Sequence, residues 1–127
     1  MRRDVREKLI EVARKGETIT YGDLMKSFGI SRRHIGAVVG EISGHEYSEG
    51  RPLISAIVVR SNSSTSTCPK GVPGGGFFGL SGVPGRLKRP EDAYGDSRLT
   101  GSEQQFVREQ QEEVWKYWKT HNDKENL

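Results

Sequence analysis

The chain is short of cysteine, aromatics and long apolar runs. Cys68 is its only cysteine, so no disulfide can form within it. Three scattered histidines (His34, His45, His121) beside that one thiol have no metal-ligand spacing, and no metal or cofactor is expected. No stretch approaches 18 apolar residues, which excludes a membrane-spanning helix from the pattern. Met1-Arg2-Arg3-Asp4 opens into an amphipathic pattern and not an apolar leader, so a cytoplasmic protein is expected. Hydrophobic residues make up only 32% of the 127, aromatics 8%, and the mean hydropathy is −0.70. That supply supports one small core in a single domain spanning 1–127, with part of the chain lying outside it.

What is abundant is glycine and unevenly placed charge. Seven of the 16 glycines fall between Gly71 and Gly85, which marks a special segment and not a loose chain. Residues 1–60 hold 11 Lys/Arg against 8 Asp/Glu, and residues 61–102 hold 5 against 3. Residues 103–127 reverse the sign, with 4 against 6. A basic body with an acidic final element fits a partner such as DNA, provided the cations gather on one face.

Periodicity gives the elements. Val5, Leu9, Val12 and Ala13, with Ile10 beside them, form one helical face, capped by Asp4 and stopped by Gly16. Thr20-Tyr21-Gly22-Asp23 has the form of a capping box opening a short helix that Gly29 ends. Ser31 caps a third helix, with Ile35, Val38, Val39 and Ile42 on one face and a stop expected near Gly44. Gly36, Gly40 and Gly44 share another face of it. Glycine inside a helix costs about 1 kcal/mol against alanine, so the stripe implies close backbone packing or a flat surface for a ligand. Leu53 to Val59, led by Pro52, reads as a strand covered on both sides. A polar Ser/Thr loop follows at 61–67. The chain then returns to the core at Phe77-Phe78, as a strand pairing with 53–59. The irregular stretch continues to residue 101, and Ser102 to Gln105 is taken as a capping box for a last helix, 102–120. Val107, Val114, Trp115 and Trp118 lie on one face of that helix.

This order is α+β and winged helix-turn-helix-like: N-terminal helices, a short antiparallel sheet, a long Gly-rich loop and a C-terminal helix. Residues 1–60 hold the helix-turn-helix and strand, 61–101 the wing and Gly-rich loop, and 102–120 the last helix. Recognition helices meet DNA with their first turns. That places Ser31, Arg32, Arg33 and His34 at the duplex, Tyr21 beside them, and Arg60 and Lys70 on the wing. The cations oppose the helix macrodipole, an unfavourable placement that a nearby polyanion would offset.

Thr20-Tyr21-Gly22-Asp23, a loop, and then Arg-x-x-Gly-x-Val-Val-Gly at 33–40 resemble the DNA-binding half of the alkylguanine-DNA alkyltransferases and alkyltransferase-like proteins. The likeness covers residues 18–42. It implies that Tyr21 helps turn a nucleotide out of the duplex and that Arg32 or Arg33 fills the gap. The family continues with Pro-Cys-His-Arg-Val, where the thiol accepts the alkyl group. Here the stretch is Gly50-Arg51-Pro52-Leu53-Ile54-Ser55-Ala56, with neither Cys nor His, so alkyl transfer is not expected. A second resemblance runs from Glu41 through the Arg51-Pro52 strand and Pro73-Gly74-Gly75-Gly76-Phe77-Phe78 to the last helix. It is to an uncharacterised family of small bacterial and phage proteins, and it implies that loop and strand belong to one site.

A non-catalytic DNA-binding protein is therefore the first expectation. The glycine run lacks the Lys-Ser/Thr of a P-loop and the strand–loop–helix setting of a dinucleotide fingerprint. Its backbone amides could still meet an anion. A nucleotide- or nucleobase-binding module is thus an alternative, built from Tyr21, Glu41, Arg51, Ser55, Gly75, Gly76, Phe77 and Phe78. A phage- or defence-related protein-interaction factor is another, using residues 81–101 or the Trp115/Trp118 helix. Glu41 and His45 stand one helical turn apart, but a solvated polar face accounts for them and no enzyme is expected.

Overall fold

The computed structural model describes residues 2–60, 71–73, 77 and 99–121. It is mostly helical, with one two-stranded sheet, an α+β arrangement. The elements are α1 (Arg3–Arg14), β1 (Ile19–Thr20), α2 (Tyr21–Phe28), α3 (Arg32–Ser48), a 3₁₀ turn (Ile54–Ile57), β2 (Val58–Val59) and α4 (Gly101–Thr120).

The N-terminal helices follow from their apolar spacing. Val5, Leu9, Ile10, Val12 and Ala13 are all buried on α1. Asp4 does not cap α1 as expected. Arg2 is the N-cap residue, and Asp4 lies in the first turn, where it receives the Arg2 guanidinium and the Val5 amide. Those bonds hold its carboxyl down at about 2, with the Arg2 hydrogen bond the main cause. Thr20 caps α2 as its sequence implies, its hydroxyl accepting from the Asp23 amide at 3.1 Å. Gly29 ends α2 in the left-handed region (φ +63°), which a Cβ would strain. Residues 29–31 then turn the chain into α3.

α3 runs one turn further than expected, through Gly44 to Ser48. Gly44 is tolerated because the carbonyls before it remain paired and the next turn buries Glu46 completely. Ser31 occupies the N-cap position without capping: its hydroxyl lies 2.7 Å from Nδ1 of His34.

The region expected to form one strand from 53 to 59 is mostly a 3₁₀ turn, with only Val58-Val59 extended. A wholly buried apolar run has no period to tell strand from helix. The Ile54–Ile57 turn packs against α1, α3 and α4, so its side chains meet neighbours on every side. β2 pairs with β1 in parallel, Ile19 opposite Val58 and Thr20 opposite Val59. The described sheet is thus parallel where an antiparallel one was expected, and the expected partner strand at 77–78 lies outside the described residues apart from Phe77. Among the described residues the return of the chain is marked by a backbone bond from Arg60 N–H to Val72 C=O at 3.0 Å. Phe77 is buried against Phe106, centroids 6.1 Å apart. Gly74, Gly75, Gly76, residues 78–98 and the 61–67 loop lie outside the described residues.

α4 starts earlier than expected. Its capping box is Thr100/Glu103, not Ser102/Gln105: Thr100 Oγ1 accepts from Glu103 N–H, and Thr100 N–H donates to Glu103 Oε1 at 2.9 Å. A carboxylate three residues after the hydroxyl outcompetes the amide of Gln105 for this role. α4 spans two buried clusters. Val114 and Trp118 join the α1–α3 core, while Phe106 and Val107 pack with Leu53, Ala56, Val72 and Phe77. Buried Gln111 braces the second cluster, its amide donating to both the Ala56 and Gly71 carbonyls at 3.0 Å. No helix among the described residues is long and apolar enough to cross a membrane.

Candidate nucleic-acid interface

The turn at 29–31 delivers the first turn of α3 to the surface. Arg32, Arg33 and His34 are all exposed, and that turn contains no acidic residue. Among the described residues neither Arg32 nor Arg33 takes part in an ion pair. Below them the same helix buries Ile35, Val39 and Ile42. Arg33 lies opposite that apolar stripe, while Arg32, on the stripe's side, is exposed because it is the first residue of the helix.

The outward face continues in small residues: Gly36 and Ala37 are exposed, Gly40 and Gly44 half-buried. A Cβ built at Gly36 or Gly44 would meet nothing within 4 Å. Packing against another backbone, one of the two explanations for the stripe, therefore does not account for these two positions. They leave a low, open helix surface at a cost of about 1 kcal/mol each against alanine. The double substitution Gly36→Ala, Gly44→Ala should stabilise the fold by about 1–2 kcal/mol and raise Tm by several degrees. Thermal unfolding followed by circular dichroism checks this; an unchanged or lower Tm refutes it.

The other expected DNA contacts are placed less uniformly. Tyr21 begins α2 and is half-buried against the core. Arg60 is half-buried just after β2. Lys70 lies outside the described residues.

The alternative ligand set is dispersed. Ser55 is buried, its hydroxyl donating to Ser43 Oγ at 2.9 Å. Phe77 is spent on Phe106 in the core. Glu41 is exposed on α3. Gly75, Gly76 and Phe78 lie outside the described residues. Arg51 is engaged in an ion pair that the sequence did not indicate. Its Nε donates to Glu46 Oε2, while Arg6 Nε donates to Glu46 Oε1 at 2.5 Å.

This buried ionic group escaped the sequence analysis. Arg6 is 2% exposed and Glu46 not at all, and Arg6 also lies over the Trp118 ring, 5.8 Å from its centroid. It joins α1, α3, the 50–52 turn and α4. A signal existed: extending the α3 apolar period one more turn lands on Glu46, in line with Ile35, Val39 and Ile42. Arg6 likewise falls between Ala13 and Ile10 on the α1 wheel.

Arg14 closes the far side, its Nε donating to the Trp118 carbonyl at 3.3 Å near the end of α4. Trp115 Nε1 donates to the Glu17 carbonyl at 2.9 Å. Both indoles are thus committed to the fold, Trp118 in the core and Trp115 packed on its edge. Comparisons of this chain with protein-family models, with curated proteins and with solved structures return no match.

Proposed function

We propose that this protein binds duplex DNA without reacting with it, as a winged-helix-type module presenting the first turn of α3. One observation carries the proposal: three neighbouring basic-type side chains, Arg32, Arg33 and His34, are exposed at a helix start that contains no acid. Cations there oppose the helix dipole, and the fold supplies no ion pair to either arginine among the described residues. A phosphate backbone would relieve both conditions. The low surface at Gly36 and Ala37 supports close approach of a groove or a sugar-phosphate strand. The likeness of residues 18–42 to alkyltransferase-like proteins points the same way, with Tyr21 at the start of the partner helix.

The test is fluorescence anisotropy of a labelled duplex of about two helical turns. Two or three phosphate contacts imply an affinity falling about 10- to 50-fold between roughly 50 and 200 mM salt. No binding at the lowest salt, or binding indifferent to salt, refutes the proposal.

A further inference from the structure

At the opposite end of α3, an open cleft of about 710 Å³ lies between α3, the 50–52 turn and α4. Its walls include Tyr47, Arg51, Gln110, Glu113, Lys116 and Tyr117. The volume is within the usual range for small-molecule sites. From Arg33 to Tyr47 the helix rises ~21 Å, so this cleft is separate from the proposed DNA face and does not rest on it.

We infer that the cleft binds a nucleoside monophosphate, with guanine the base that fits best. Three features select that chemistry. First, aromatic faces stand on both walls. Tyr47 is 51% exposed, the one large hydrophobic side chain left exposed among the described residues. Tyr117, on α4, lines the same cleft; His121 stacks on one face of its ring (3.9 Å, 3°) and Trp118 packs edge-on against it, which fixes the ring. A fixed ring on one wall and an accessible one on the other suit a planar base, which stacks on any aromatic face.

Second, cations are present for a phosphate. Lys116 makes no ion pair among the described residues. The Arg51 guanidinium is held in place through its Nε by Glu46, so it lines the wall without sweeping through solvent. A fixed guanidinium and a mobile ammonium together suit a phosphate monoester.

Third, Glu113 and Gln110 lie one turn apart on the same wall. Glu113 also makes no ion pair among the described residues. A carboxylate only accepts hydrogen bonds, so it selects a base edge presenting adjacent N–H donors, as guanine does. Gln110 Oε1 already accepts from the Leu53 amide, so what this cleft-lining side chain has left to offer a base carbonyl is its amide N–H group.

Isothermal titration of the full chain with GMP tests the inference, with guanosine and AMP as comparators. Saturable GMP binding is expected, with guanosine and AMP each at least about tenfold weaker. Tyr47→Ala and Lys116→Gln both change exposed side chains and should leave the fold intact; each should weaken GMP about fivefold to tenfold. Absence of saturable GMP binding up to about 5 mM overturns the inference. So does GMP binding that both variants leave unchanged. AMP binding as tightly as GMP overturns the assignment of Glu113 to the base edge. Competition of GMP by duplex DNA would place the cleft in the DNA surface and overturn its independence.

Discussion

Glu46→Gln is expected to lower stability by about 3–5 kcal/mol, a large part of what a domain of this size possesses. The substitution keeps the volume and hydrogen-bonding outline of the side chain but removes its charge. Glu46 is fully buried and divides its carboxylate between Arg6 and Arg51, one oxygen to each. Arg6 is itself 2% exposed, over Trp118. Its guanidinium cannot shed a proton, so it cannot escape the loss by neutralising. Desolvation of a buried charge is repaid only by a close counter-charge, and a neutral amide repays much less. In urea the midpoint should fall by roughly 1–3 M for a chain with an ordinary m-value. Arg6→Met in the Glu46→Gln background should restore part of that loss, because it removes the stranded cation. An unchanged midpoint for Glu46→Gln would show that the carboxylate is not needed for the fold. A double variant no more stable than the single would show that the loss is not due to an uncompensated charge.

The same ionic group explains why some of this fold was legible in the sequence and some was not. α1, α2 and the first three turns of α3 followed from apolar spacing, because an amphipathic helix writes its buried face at a fixed period. Val5, Leu9, Ile35, Val39 and Ile42 are buried as that period requires. Glu46 obeys the same period, but a charged residue at a core position counts as the end of the pattern unless its partners are known. Those partners are 40 residues back in Arg6 and 5 ahead in Arg51, and no local rule connects them. The run 53–59 failed for a different reason. Buried on every side, it has no alternation, and β-branched content favoured a strand where contacts with three helices impose a 3₁₀ turn. Sheet direction was illegible because β1 is two residues long and its partner is fixed by tertiary packing alone. The exposed basic start of α3 was legible because it rests on local features: a turn, a helix start and consecutive basic side chains. The cleft was not, because it joins α3 and the 50–52 turn to α4 some 60 residues later.

Arg32→Glu with Arg33→Glu should reduce duplex affinity by about 100-fold or more at roughly 100 mM salt. Each substitution removes a phosphate contact and adds a repelling charge, so four units of charge change on one turn of helix. The milder pair Arg32→Ala and Arg33→Ala should lower the slope of log K against log salt by about 2, one unit per lost contact. Folding and binding separate cleanly at these positions. Both side chains are exposed and outside any ion pair among the described residues, so no packing is lost. Acidic residues are also favoured at a helix start, so the charge-reversed α3 should be as stable as the original or slightly more so. An affinity that collapses while Tm holds or rises therefore assigns the effect to the DNA face. Gly36→Ala gives a second, steric probe of the same face. It adds one methyl on the exposed side of α3, where nothing within 4 Å obstructs it. If the duplex lies against that surface, this variant should bind more weakly although it is more stable. Affinity unchanged by both the charge reversal and the added methyl would mean that DNA, if bound, is held by some other surface.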